Sequence, residues 1–425
     1  MKILIQNVRA VDVHLDETTD ILIENGRIVK MAKGISESAD RVINGEGLTA
    51  MPGLFDMHVH FRDPGQTHKE DILTGSAAAL AGGVTGVLCM PNTTPAVDSA
   101  ETIRYILDKA KDTGVAVYPV ACITKGMAGE ELTDFAALKA AGAAALSDDG
   151  RPVKSAELMR QALAETKVQG MLITSHCEDL DIINGGIMHK GSVAEELGVK
   201  GMDRASEDYI TAREIILASS VGARVHIAHV STKGSVEIIR AAKALGVPVT
   251  CETAPHYFMF THEKLRSKNA NDRMNPPLRE ESDRLAIEQA VLDGTIDCIV
   301  TDHAPHTQEE KADFENAPNG IVGLETSLAA TLTALYHTGK CSLQDVVRMM
   351  AVKPREILGL AQATLAEGAD ANLILVDTEK KWTVEPEKMH GKSCNTAFRG
   401  TQLTGKTVMT ITDGIIRFEA ENSRL

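Results

Sequence analysis

From residue 53 to about residue 360 the chain keeps repeating one unit: a stretch with apolar residues at helical spacing, a glycine, then a short β-branched run. Residues 98–112 show it well. Ile103, Ile106, Leu107 and Ala110 recur on one face, Asp98 with Glu101 suits the helix start, and Gly114 closes the unit ahead of Val115-Ala116-Val117-Tyr118. Gly83, Gly142, Gly170, Gly222, Gly246 and Gly294 repeat the punctuation. The pattern predicts eight strands, at 54–57, 84–90, 115–120, 143–146, 171–174, 224–228, 247–252 and 296–301, alternating with helices. That is the signature of a (β/α)8 TIM barrel, with an open doubly wound sheet as the runner-up.

The flanks have a different texture. Residues 1–52 alternate as short strands, with an Asn25-Gly26 hairpin, and residues 361–425 return to β runs at 371–376 and 408–411 beside Asp413-Gly414. The expected organisation is a barrel over 53–360 and a small β-sandwich built from both chain ends, 1–52 and 361–425. Composition narrows the class. With 425 residues, 43% hydrophobic and 24% charged, the chain reads as an ordinary folded protein. A net charge of −15 argues against a nucleic-acid surface but leaves room for a local basic pocket. The seven cysteines include no CxxC pair and read as reduced core residues of a cytoplasmic protein. The least polar run, 77–90, is broken by Gly82, Gly83 and Thr85, so no membrane span is expected, and MKILIQNV is too short for a signal peptide.

In such a barrel, chemistry gathers where the strands end. The first strand runs into GLFDMHVHFRDPG at 53–65, where alternation points His58 and His60 the same way and brings Arg62 after them. Strand four ends in Ser147-Asp148-Asp149-Gly150, strand five in Ser175-His176, strand six in His229 and strand eight in Asp302-His303. A strand-end Asp often caps the next helix, and a lone His is more often packed than metallated. Agreement across five strand ends favours a metal site. Two ions suit the set: His58, His60 and Asp302 for one, His176 and His229 for the other, with Asp148 or Asp149 as the bridge. Two metals at about 3.5–4 Å polarise a carbonyl and generate hydroxide near neutral pH, and Asp302 is placed to carry the proton. His226 lies on the odd face and reads as structural. Cys177 beside His176 reads as a buried small hydrophobe.

The motifs HVHFRDPG, MPNTTP (90–95), LSDDGRPV (146–153), SHCED (175–179), AHVST (228–232), ETAPHY (252–257), NPPLR (275–279) and TDHAPH (301–306) resemble those of type I dihydroorotases, of the amidohydrolase superfamily. The resemblance spans nearly the whole chain. It implies reversible cyclisation of N-carbamoyl-L-aspartate to (S)-dihydroorotate with release of water, in pyrimidine (UMP) biosynthesis, with two Zn2+ per chain. The metal ligands it implies are His58, His60, Asp149, His176, His229 and Asp302, with Asp302 also the catalytic acid/base. It implies substrate contacts from His60, Arg62, Asn92, Asn275 and His306 and from backbone near Gly320. It also implies a homodimer that can associate with an aspartate transcarbamoylase.

Two departures stand out. Many relatives bridge their metals with a carboxylated lysine, whereas here Lys139 and Lys154 flank strand four at a distance and only carboxylates stand at its end. Asn319 occupies a position where the family often has Phe. The competing readings are a hydantoinase, dihydropyrimidinase or allantoinase, which would leave Arg62 without a carboxylate, and a non-catalytic partner subunit, which should have lost ligands.

Overall fold

The computed structural model describes residues 2–421. Eight parallel strands, Leu54–Val59, Val84–Cys89, Ala116–Ala121, Ala145–Leu146, Ile173–Ser175, Val225–Ile227, Val249–Thr253 and Cys298–Ile299, pair in chain order. A parallel bridge between Val59 and His303, with His60 N donating to His303 O at 2.8 Å, joins the first strand to the last. The barrel is thereby closed, and the open-sheet alternative is excluded. Asp56 ties the same seam: its Oδ1 accepts from Thr301 N at 3.2 Å and from His58 N at 3.0 Å.

The barrel interior is apolar at its lower end, where Phe55, Met57, Leu88, Val120, Leu172 and Cys298 pack together. Outward residues of the strands, such as Leu54, Val87, Ile173 and Val225, meet the apolar faces of the helices. Glycine punctuation works as its spacing predicts. Gly83, Gly142, Gly170 and Gly222 each stand in the left-handed conformation at a helix C-terminus, with the cap N–H bonded back into the last turn. One capping expectation is corrected. The helix Ala100–Ala110 is capped by Ser99, whose side chain accepts from Thr102 N, while Asp98 Oδ2 accepts instead from Gly126 N at 2.8 Å. A serine hydroxyl at the N-cap position, one carbon away from its backbone, reaches its own helix's third N–H, which frees Asp98 to hold the loop after strand three.

The chain ends meet in a second sheet of eight strands. Leu373–Thr383 pairs antiparallel with Thr49–Pro52 on one side and with Gln402–Thr412 on the other, so the two termini share one hydrogen-bond network. Ile3, Ile5, Ile21, Ile23, Leu373, Leu375, Met409 and Ile411 form their common core. The expected Asn25-Gly26 hairpin turns through a left-handed pair, and Asp413-Gly414 makes a second turn of the same kind. Among the described residues no helix is long and apolar enough to cross a membrane.

Candidate metal centre

The first strand delivers its histidines through an irregularity. Phe55 and Met57 face the barrel interior, so strict alternation would send His58 outward. The pairing with the second strand slips between Asp56 and Val59, and after the slip Val59 and Phe61 join the outer core while His58 and His60 turn inward. Phe61 is fully buried against Gly75, where a Cβ would lie 2.4 Å from its ring. That contact anchors the chain between His60 and Arg62. Arg62, His229 and Asp302 each adopt positive φ, at 59°, 31° and 48°. Backbone of this kind costs about 1–3 kcal/mol per residue and persists where the surroundings hold it.

All six metal-ligand candidates converge. His58 Nε2 lies 3.3 Å from Asp149 Oδ1, His60 Nε2 3.5 Å from Asp149 Oδ2, and His176 Nδ1 3.4 Å from Asp149 Oδ1. His229 Nε2 is 3.8 Å from the same Oδ1 and 2.9 Å from His176 Nδ1. Asp302 Oδ1 is 3.1 Å from His60 Nε2 and 3.7 Å from His58 Nε2. Ligands at 2.0–2.2 Å around a tetrahedral ion stand about 3.3–3.5 Å apart, so several of these separations match edges of a coordination polyhedron. Two donor groups, His58 with His60 and Asp149, and Asp149 with His176 and His229, share the one carboxylate. His58 Nε2 and Asp149 Oδ1 are buried without a hydrogen-bond partner, which is costly unless something else fills the space. The donor set therefore fits one or two cations.

The electrostatics agree. Against the cost of burial, Asp149 and Glu252 raise His58 well above its ordinary value, and Asp149 and Glu178 raise His176 to about 10. Asp149, though buried, is held well below the usual carboxylate range by His58, His176 and His229. The cluster calls for positive charge at its centre. Asp148 does other work. Its Oδ1 accepts from Ile123 N at 2.8 Å and Thr124 N at 3.1 Å, so Asp149 is the one of the pair that faces the histidines. Lys139 bonds Gln169 O and Lys154 lies 3.5 Å from Asp181, both away from the cluster.

A supporting layer was hard to read from sequence. Glu252 stands between two histidines, with Oε1 2.8 Å from His58 Nδ1 and Oε2 3.1 Å from His226 Nε2, while His226 Nδ1 meets Thr250 Oγ1 at 2.8 Å. His226 is structural, as expected, but its task is to hold the carboxylate that orients His58. Asn92 Oδ1 meets His60 Nδ1 at 2.8 Å, and Glu178 spans His176 Nε2 at 3.4 Å and Asn275 Nδ2 at 2.9 Å. The available signal was a charged residue inside an otherwise uncharged, largely buried strand, Val249–Thr253. Because carboxylates behind metal-ligating histidines typically support 10–100-fold in affinity, Glu252→Gln is expected to weaken metal binding by about that factor. Competition with a chromogenic chelator measures it, and unchanged affinity would reduce Glu252 to a space filler.

The remaining candidates form one rim. Arg62 is only 8% exposed, yet no carboxylate lies within ion-pair distance of it among the described residues. Its Nε donates to Pro305 O at 3.2 Å and its Nη2 lies 3.3 Å from His306 Nε2. Gly320 stands at φ 140°, and a Cβ there would come 2.9 Å from Ala304 and 3.1 Å from His306. Its own backbone groups are committed within the loop: N–H to Arg273 O at 3.0 Å, and C=O to Asn395 Nδ2 at 3.0 Å and Lys311 Nζ at 3.1 Å. Asn319 turns its side chain to Arg273 Nε at 3.2 Å, so a polar pairing occupies that position. Cys177 is buried, and burial pushes its thiol up.

Comparison with known proteins agrees with this architecture. Residues 47–235 match the family described as dihydro-orotase-like. The chain is 48% identical over 423 residues to a dihydroorotase of Trichlorobacter lovleyi, covering 98% of this chain and 99% of that one. It is 49% identical over 419 residues to a dihydroorotase of Geotalea daltonii, covering 97% and 98%. Among solved structures, the L-hydantoinase (dihydropyrimidinase) of Arthrobacter aurescens superposes with a TM-score of 0.87 at 26% identity, covering 97% of this chain and 95% of that one. A closed barrel carrying a shared-carboxylate histidine cluster, together with near half identity along almost the full length, shows that the chain belongs to the dihydroorotase family.

Proposed function

We propose that the protein is a dihydroorotase that interconverts N-carbamoyl-L-aspartate and (S)-dihydroorotate, using two zinc ions held by His58, His60, Asp149, His176, His229 and Asp302. The observation that carries this reading is Arg62. A buried guanidinium beside a cation site, with no carboxylate of its own, is an expensive arrangement unless the substrate supplies the missing charge. Dihydroorotate has such a group on its ring; dihydrouracil does not.

Bound ions would polarise the ring carbonyl and lower the pKa of water. The chain's residues do the rest. Arg62, with His306 at its side, grips the substrate carboxylate, and Asn92 beside His60 and Asn275 beside Glu178 help hold the ring amide over the cluster. Asp302 takes the proton lost by the attacking water and delivers it to the departing ring nitrogen; the reverse sequence closes the ring. Closing the ring converts one carboxylate into an amide and consumes a proton, so acid favours dihydroorotate. The relatives named as dihydroorotases support the substrate class, and the five clustered donors with Asp302 beside them argue against a non-catalytic subunit. A homodimer, free to join an aspartate transcarbamoylase, is part of the same proposal.

Protein prepared without chelator is expected to carry two zinc ions per chain and to turn over dihydroorotate. Elemental analysis and assays on dihydroorotate, dihydrouracil and allantoin test this together. Full activity with one ion would remove the second from the mechanism, and equal turnover of dihydrouracil would leave a general cyclic amidase.

A further inference from the structure

His306 connects Arg62 to an ion pair that the reaction above does not use. Its Nε2 lies 3.3 Å from Arg62 Nη2 and 3.1 Å from Asn319 O, and its Nδ1 lies 3.1 Å from Glu310 Oε2 and 3.5 Å from Lys69 Nζ. Lys69 and Glu310 are themselves paired at 2.9 Å. Each ring nitrogen therefore faces one group that can only donate and one that can only accept. A neutral ring, with a single N–H, satisfies these neighbours in two ways. It can donate to Glu310 and accept from Arg62, or donate to Asn319 O and accept from Lys69. Neither form allows His306 both to keep its bond to Glu310 and to donate from Nε2 to a carboxylate beside Arg62. A doubly protonated ring does both.

We infer that Glu310 is a positioning residue for substrate recognition, fixing the His306 ring and supplying the counter-charge that lets it hold a second proton when a ligand carboxylate reaches Arg62. The inference rests on the proposed function, because the ligand carboxylate is the substrate's. The proton comes from solvent on binding and returns to it on release. The charged groups facing the ring are Arg62 from the end of the first strand, Lys69 from the loop beyond it, and Glu310 and Lys311 from His306's own loop; Asn395 Oδ1 holds only the backbone N, at 3.0 Å. Without ligand, burial, Arg62, Lys69 and Lys311 outweigh Glu310 and push His306 down to about 3, so the free ring is neutral. A carboxylate at Arg62 cancels the nearest of those cations and adds an acceptor at Nε2.

The sign of the pH dependence follows. The second proton raises affinity while it is bound and is lost as pH rises, so KM for dihydroorotate should climb with pH. An opposite charge at this distance typically shifts a pKa by about 1–3 units. Glu310→Gln should therefore shift the climb at least about one unit lower, raise KM about tenfold in the acidic range where the wild-type ring still holds its second proton, and lower kcat much less. Lys69→Met removes a competing cation and should move the climb the other way. KM–pH profiles of the wild type and both variants, at matched metal content, give the answer. An unchanged profile in Glu310→Gln, or shifts of the same sign in both variants, would overturn the inference while leaving the function intact. A wild type inactive on dihydroorotate would overturn the function and this inference with it.

Discussion

Asp302→Asn is expected to cost about 10²–10⁴-fold in kcat with metal still bound, the range that general acid–base groups contribute. The carboxylate is buried, with Oδ1 3.1 Å from His60 Nε2, and despite burial it is held below its ordinary value by His60, His58 and His229. An amide keeps the shape and one coordinating oxygen but has no basic site for the proton of the attacking water. Steady-state kcat alongside elemental analysis separates loss of the proton carrier from loss of metal. A variant with wild-type kcat would remove Asp302 from proton transfer. A variant that loses its metal would recast it as a ligand first.

Arg62→Met is expected to keep fold and metals but lose about one to two powers of ten in kcat/KM for dihydroorotate, since a hydrogen bond to a charged group is worth about 1.5–3 kcal/mol. Methionine preserves most of the volume and meets the same left-handed backbone that arginine already accepts at φ 59°. The substitution thus isolates the charge. Wild type should barely open dihydrouracil, and the variant should narrow the gap by losing the preferred substrate. Normal kinetics in Arg62→Met would leave the selectivity unexplained by this residue and weaken the distinction from the hydantoinase-like fold neighbours.

Much of this was legible in sequence because it is local. Helical spacing, the glycines at 83, 142, 170 and 222, and the Asn-Gly and Asp-Gly turns each depend on a few consecutive residues, and the structure follows them. Strand lengths were less legible. The expected runs at 143–146 and 296–301 pair as ladders only over Ala145–Leu146 and Cys298–Ile299, because pairing needs a partner in register and not only β propensity. The cap at Ser99 in place of Asp98 has a similar origin, since Asp98 is claimed by Gly126 in a neighbouring loop.

The sequence by itself determined which donors exist, that His58 and His60 share a side, and that five strand ends carry groups of one chemical kind. Tertiary structure decided which side that is, through the slip between Asp56 and Val59 that turns the histidines into the barrel. It also decided that Asp149 faces the cluster while Asp148 holds residues 123 and 124, and that Glu252, 194 positions from His58 in the chain, stands behind its ring. The physical reason is range. Periodicity and turn chemistry act over a few residues and are written in the chain, whereas a one-residue change of register inverts every later side chain, and a contact across the barrel exists only once all eight strands have closed.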